Sequence, residues 1–524
     1  MIIRPRTLVS MLLAGLLLQV GPVAPVLHAA PAPPVSVTIS IPAISDRPLY
    51  TVATVQPNLM VTLDNSNSMN LQYAPAGINS NVQKPCFTNA SYNRLYYDPS
   101  VTYLPPMRGD GTRYPAAAYT AAWKNGFNTA LGTIDLSAGF PGLKNYGAGN
   151  LGGPESHDPR RVASIADRGA YHHAYSGTSP VLPVVGTCYP DASYTLVDMN
   201  AATAAQQQNF ANWFSYYRNR MMAMKTVLSE AFRFIDGNFR VGLHTILYPE
   251  KTDAYGAFLP VETFSGSYRT SWYERLHGLG VSLMTPLREA SQRIGEYYRT
   301  GASPAGGTVA DPIQYSCQQN YHLLTTDGEW TAGGGASGTV GSTNWNRTLP
   351  NNPALLTALS AEFGTTFTAG QNWPAPYREN DGTASTNSLA DIAAYYWQTD
   401  LRPTMANNVF TSKRNPANWQ HMVTFGLAFS AKGTVAYPEG LDAIRAGTAQ
   451  WPAPAALNPS AIDDLWASAL VGHGMFFNVT SPVELNEALA RSITEIQSRQ
   501  GSGSGAVVST RDLSVGSPLA FRAM

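Results

Sequence analysis

The apolar run Leu59-Met60-Val61-Thr62-Leu63 ends in Asp64-Asn65-Ser66-Asn67-Ser68, and this junction constrains the chain more than any other stretch. The run reads as a buried strand. The residues after it put a carboxylate and two hydroxyls, each two positions apart, into one tight loop at the strand's C-terminal end. All are oxygen donors, which suit a hard divalent cation such as Mg²⁺, Mn²⁺ or Ca²⁺. Ser282-Leu283-Met284-Thr285-Pro286-Leu287 offers a further hydroxyl where a helix begins, and Tyr321 to Gly328 offers a second carboxylate, Asp327, at the end of another apolar strand. Each segment alone has a plain reading as a turn or a helix cap. Together they point to a metal, because open α/β sheets collect ligands beyond the C-terminal ends of their strands.

Charged residues make up 13% of the 524 residues, about half of the roughly 25% usual in soluble domains. The formal net charge is zero, so no basic stripe for nucleic acid is expected. Solvation of the surface falls to neutral Asn, Ser, Thr, Gln and Tyr. The 45 Gly and 38 Pro imply long irregular connections.

Residues 1–30 read as a signal peptide: Arg4 and Arg6, an apolar run from Leu8 to Leu18, then Pro22, Pro25 and small residues near Ala29 and Ala30. No other segment approaches the roughly 20 apolar residues of a membrane helix, so no stable span is expected after cleavage. The chain is expected to be exported. In an oxidising compartment Cys86, Cys188 and Cys317 allow one disulfide. No CxxC occurs, and His157, His172 and His173 are expected to face solvent in a loop.

Residues 31–50 form a Pro-rich lead-in, and 51–500 read as one large α/β domain. The helix that should follow the first strand is delayed by a Tyr-, Pro-, Asn- and Gly-rich insertion over about 71–205. Apolar residues then recur at helical spacing from Asn209 to Ile235, the plain reading of which is core packing. A strand over Phe239–Leu247, a helix over Pro286–Tyr298 and the strand ending at Thr326 follow. A second insertion over about 329–385 precedes helical spacing from Leu389. Val423–Phe429 and Phe476–Val479 read as further strands, and Ser481-Pro482-Val483-Glu484 as the capped start of a last helix. Strands alternating with helices argue for a sheet covered on both faces. Residues 501–524 are expected to be a Gly/Ser linker and a truncated tail.

The order Asp-x-Ser-x-Ser, then Thr, then a strand ending in Asp-Gly resembles the metal-ion-dependent adhesion site of von Willebrand factor A (vWA) domains. That likeness implies a doubly wound, mostly parallel α/β sheet with helices on both faces and two long insertions. It implies Ser66, Ser68 and Thr285 as hydroxyl ligands, with Asp64 and Asp327 bound directly or through water, and a free coordination position for a partner's carboxylate. Binding rather than catalysis is expected: no G-x-S-x-G, H-E-x-x-H or G-x-x-x-x-G-K-[ST] occurs. Arg108-Gly109-Asp110 is read as a solvated turn.

Longer strings resemble the PilY family of type IV pilus tip and assembly factors: Tyr92 to Pro99, Asn209 to Arg218, Cys317 to His322, Leu389 to Trp397, Asn418 to Met422 and Ile462 to Trp466. The likeness implies an exported pilus biogenesis factor or tip adhesin in the periplasm, the outer membrane or at the cell surface. Its partners would be minor pilins or other pilus machinery, or a host or surface ligand with an acidic group. The alternative is a secreted or periplasmic vWA binding protein unrelated to pili. Family members continue into a β-propeller, whose calcium-dependent functions do not carry over to residues 501–524. Cys86 and Cys188, both inside the first insertion, are expected to pair, closing a loop worth about 4 kcal/mol, with Cys317 a buried thiol. Pairing of Cys317 with either remains open at this stage.

Overall fold

The computed structural model describes residues 55–78, 84–140, 169–177, 188–247, 258–281, 284–379 and 385–501. The signal peptide, the Pro-rich lead-in, the tail beyond 501 and His157 lie outside the described residues.

The strands are β1 (Asn58–Leu63), β2 (Ala122–Trp123), β3 (Thr133–Ile134), β4 (Tyr171–Tyr175), β5 (Tyr194–Asp198), β6 (Arg240–Thr245), β7 (Phe258–Thr263), β8 (Asn320–Thr326), β9 (Met422–Phe429) and β10 (His473–Val479). Six form one sheet in the order β10-β9-β8-β1-β6-β7. All its pairings are parallel except that of the edge strand β7 with β6. β1 lies between β6 and β8 and is buried along its whole length, which explains why it reads as an unbroken apolar run rather than an alternating one.

The helices are α1 (Ala204–Tyr216), α2 (Arg220–Ala231), α3 (Gly266–Gly278), α4 (Leu287–Thr300), α5 (Gly338–Ser342), α6 (Pro353–Phe363), α7 (Leu389–Gln398), α8 (Gly440–Arg445), α9 (Ser460–Val471) and α10 (Pro482–Gly501). Alternate strand residues enter different cores. Leu59, Val61 and Leu63 join Met224 and Leu228 of α2 and Leu485 and Leu489 of α10. Met60 joins Ile294, Tyr297 and Tyr298 of α4. Leu324 and Ala428 join Leu389 of α7 and Leu465 of α9. The result is a mixed α/β domain with a largely parallel central sheet, compatible with a vWA-like fold. Among the described residues no helix is long and apolar enough to cross a membrane.

The expected single helix over 209–235 is in fact two helices and a 3-10 turn. Asn219 restarts the chain by accepting the Met222 amide at 2.7 Å, and the Arg220 amide leaves the helical pattern to reach the Leu71 carbonyl at 3.1 Å. Helical spacing runs through the break because both halves are buried, but against different cores. Phe210, Trp213 and Phe214 of α1 pack with Tyr92, Tyr96, Tyr97 and Tyr103, whereas α2 packs on the sheet. The last helix starts as expected: the Glu484 amide donates to Ser481 Oγ and the Ser481 amide to the Glu484 carboxylate.

Other expectations need correcting. Strand β7 and helix α3 gave no recognised signal, since β7 carries Pro260 and α3 is largely polar. His172 and His173 lie on β4, not in a loop, and His172 is buried against the Tyr97 ring. Cys86 and Cys188 do form a disulfide, with Cα atoms 6.0 Å apart, but the free Cys317 is half-buried rather than buried. Arg108-Gly109-Asp110 needs no correction: it is the expected turn, in which Asp110 is exposed and accepts from Thr112.

Candidate metal centre

The β1–β8 register aligns Thr62 with Leu324, so Asp64 leaves β1 beside Thr326 and Asp327 at the end of β8. Asp64 is fully buried. Its Oδ1 accepts from the Ser66 amide at 2.7 Å, which folds the loop back on itself. Its Oδ2 accepts from Thr326 Oγ1 at 2.6 Å and from the Asp327 amide at 3.3 Å. Ser66 Oγ and Ser68 Oγ are 2.9 Å apart, and Ser68 Oγ donates to Asp327 Oδ1 at 2.7 Å. Four of the five residues read from sequence as ligands therefore meet in one hydrogen-bonded group.

Thr285 differs. It is buried, and its carbonyl accepts from the Thr331 amide at 3.1 Å, which ties the start of α4 to the loop after Asp327. Its hydroxyl has no hydrogen-bond partner among the described residues, so it stands outside the group that links the other four.

A residue the sequence did not flag completes the site. Arg220, the first residue of α2, places Nη1 2.9 Å from Asp327 Oδ2, with both side chains almost wholly buried. Its Nε donates to the Tyr73 carbonyl at 3.0 Å and its Nη1 also reaches the Asp327 carbonyl at 3.3 Å. The available signal was a charged residue directly before Met221-Met222-Ala223-Met224, since a cation in a buried stretch implies a buried anion.

The donor set fits a hard divalent cation: two carboxylates and two hydroxyls, all oxygen, with Thr285 nearby in the fold. Burial, and then the neighbouring Asp327, push the Asp64 carboxyl up to about 7. A cation between the two carboxylates would oppose both effects. Arg220 already neutralises one carboxylate, which limits the charge left to attract the ion. Among the described residues no group of three or more His, Cys, Asp or Glu side chains is arranged for a metal, so the candidate centre depends on its serine hydroxyls.

An α/β domain with an oxygen-lined loop cluster beyond its parallel strands is the class that fold and site define. The chain belongs to the PilY family. The type IV pilus biogenesis factor PilY1 of Pseudomonas aeruginosa strain PAK is 31% identical over 501 residues, covering 87% of this chain and 40% of that protein. The PilY1 protein of strain UCBPP-PA14 is 31% identical over 503 residues, covering 88% and 40%. The chain thus spans less than half the length of these relatives. No family model matches. Among solved structures, the pilus adhesin SpaC of Lactobacillus rhamnosus GG aligns with 54% of this chain and 28% of its own, at 8% identity and a TM-score of 0.25. The PilB minor pilin of Streptococcus sanguinis aligns with 56% of this chain and 57% of its own, at 13% identity and a TM-score of 0.22. Both scores are too low to carry an argument about fold.

Proposed function

We propose that this chain is the exported, metal-assisted binding domain of a type IV pilus biogenesis factor. Its core is a doubly wound vWA-like fold, with insertions over about 71–205 and 329–385. The sheet order supports that reading, because the chain goes from β1 to β6 on one side and on to β8 on the other, and such a switch point is where ligands bind. One observation carries the proposal: Ser68 of the β1 loop hydrogen-bonds to Asp327 of the β8 loop, uniting the segments that the vWA resemblance assigns to one site.

A Mg²⁺, Mn²⁺ or Ca²⁺ ion would be held by Asp64, Ser66, Ser68, Thr285 and Asp327. It would supply an electrophilic position for an acidic group of a minor pilin, another part of the pilus machinery, or a host or surface ligand. The protein's own part is to orient the hydroxyls and to keep Asp327 in place through Arg220. Catalysis finds no support at the serines. Ser68 bonds to a carboxylate that already pairs with arginine, and no imidazole is bonded to either serine among the described residues. The first insertion runs along the same end of the sheet: the Ala76 amide donates to the Ser430 carbonyl, and Arg94 pairs with Glu484 at 3.2 Å. That placement supports a role for it in shaping the ligand surface.

Calorimetry with each cation on wild type and Asp64→Ala tests the site, with binding expected only in the former. A deletion strain complemented with either form tests the function. Asp64→Ala is expected to lower surface piliation, twitching or adhesion. A deletion that leaves all three intact would remove the pilus role and leave the metal site to stand or fall on calorimetry.

A further inference from the structure

Asp327 divides its two carboxylate oxygens between different partners. Oδ1 accepts from Ser68 Oγ, inside the candidate metal centre, and Oδ2 accepts from Arg220 Nη1 at 2.9 Å. The guanidinium is fixed in that place. Its Nε donates to the Tyr73 carbonyl at 3.0 Å, and its Cζ lies 5.3 Å from the centre of the Tyr73 ring. The Arg220 amide donates to the Leu71 carbonyl at 3.1 Å. With 1% of its side chain exposed, Arg220 is shut off from bulk water. Its Nη2 is buried and has no hydrogen-bond partner among the described residues, so the groups around it do not exhaust its donors.

A buried charge that cannot leave sets the balance of the site. With both carboxylates ionised, Asp64, Asp327 and Arg220 together carry one net negative charge. A divalent cation reverses this and leaves one net positive charge. Without Arg220 the loaded site would be neutral, and water would complete it at no electrostatic cost. Two other charges lie close by in the fold. Arg288 at the start of α4 is offset by Asp464, and Glu329 is half-buried, where water weakens its field. A buried charge left without a counter-charge is costly, and one carboxylate brought by a ligand supplies the counter-charge.

The approach to the site suits a group of that size. Asp64, Ser66, Thr285 and Asp327 are buried, whereas Ser68 is half-buried. Gly328 keeps this side free, because a Cβ there would lie 3.9 Å from Ser68 Oγ and would put a side chain beside the hydroxyl.

We infer that Arg220 makes the centre selective for an acidic group, so that cation and ligand carboxylate bind cooperatively; this rests on the metal reading proposed above. By linkage each raises the other's affinity by the same factor. Calorimetry of Mn²⁺ binding tests it, with acetate as the carboxylate probe and acetamide as its neutral counterpart at equal ionic strength. Acetate at about 0.1 M is expected to tighten Mn²⁺ binding to wild type about tenfold relative to acetamide. Arg220→Gln keeps donors for the Tyr73 and Asp327 oxygens but removes the charge. It is expected to bind Mn²⁺ about tenfold more tightly than wild type in acetamide, and to gain less than about twofold from acetate. Complexation of free Mn²⁺ by acetate is the same for both proteins and cancels in the comparison. Arg220→Lys keeps the charge and should keep the acetate effect, and it carries the test where circular dichroism shows Arg220→Gln to be unfolded. Loss of the effect in a folded Arg220→Lys would overturn the inference. So would an equal effect in wild type and Arg220→Gln, or Mn²⁺ binding to wild type that acetate and acetamide alter alike. Absence of Mn²⁺ binding to wild type would instead remove the metal reading, and this inference with it.

Discussion

The sheet and the segment that leads from β1 to α1 each bury a core, by different means. In the sheet, parallel ladders satisfy the backbone, and the side chains left to pack are mostly aliphatic, such as Leu59, Val61, Leu323 and Leu427. Among its described residues the leading segment has only the short β2–β3 and β4–β5 ribbons. Its core is a set of tyrosines and phenylalanines around Trp213, and side chains do for its backbone what the ladder does elsewhere. Asn93 alone accepts from the amides of Ala74 and Leu95 and donates to the carbonyls of Gln72 and Phe87. Asn209 and Asn212 of α1 hold Tyr103, Val101 and Ala117 in the same way. The neutral polar residues that composition assigns to the surface are here partly internal scaffolding, because buried backbone groups must be paired.

The strongest way to test this contrast is at Arg220, where the two regions meet the candidate metal centre. Arg220→Met leaves the Asp327 carboxylate buried without its ion-pair partner. It is expected to cost about 3–5 kcal/mol, read as a lower urea midpoint. Arg220→Met combined with Asp327→Asn should recover much of that loss, since the penalty lies in the stranded charge. A double variant no more stable than the single one would show that Arg220 acts through its bond to Tyr73 instead.

The next effect belongs to the aromatic segment. Replacing Cys86 and Cys188 with serine removes its one covalent closure and is expected to cost about 2–4 kcal/mol. The loss should be local: limited proteolysis should cut between 84 and 203 while α2 and the sheet strands stay protected. Uniform cleavage of both regions would mean that the two cores unfold as one unit.

The same contrast explains what could be read from sequence. β1, β8 and β9 are central parallel strands and announce themselves as apolar runs. The loops after β1 and β8 announce the candidate centre because their donors lie in short motifs. The aromatic segment gave no period because its described residues hold almost no regular structure, and its composition told only that it was not a spacer poor in aromatics. Arg220 was missed because its role depends on Asp327, far away in sequence, and because α1 and α2 read as one helix. The break between them lies in hydrogen bonds of Asn219 and Leu71 that hydrophobic spacing does not register. Thr285 was legible only as a motif position at a helix start, and its hydroxyl is not bonded to the other four.

The smallest expected effect tests whether the two regions are joined electrostatically. Lys225 of α2 is buried at their border. Its ammonium donates to the carbonyls of His277 and Leu279 and lies 5.2 Å from the Phe127 ring of the leading segment. His277 is in turn bonded to the Tyr114 hydroxyl at 3.2 Å. Burial pushes Lys225 down to about 7, whereas an unfolded lysine titrates near 10.5. Between these values the unfolded chain binds a proton that the folded chain has released, so stability rises with pH, by up to about 1.4 kcal/mol per unit. His277, held down at about 3 by burial and by the charges of Lys225 and Arg108, stays neutral throughout that window and adds no slope. Urea midpoints between pH 7 and 9 should therefore climb for wild type and lose this increment in Lys225→Met. Parallel profiles for the two proteins would mean that Lys225 keeps its proton in the fold, sheltered by its two carbonyls, and that the border between the regions is insensitive to pH.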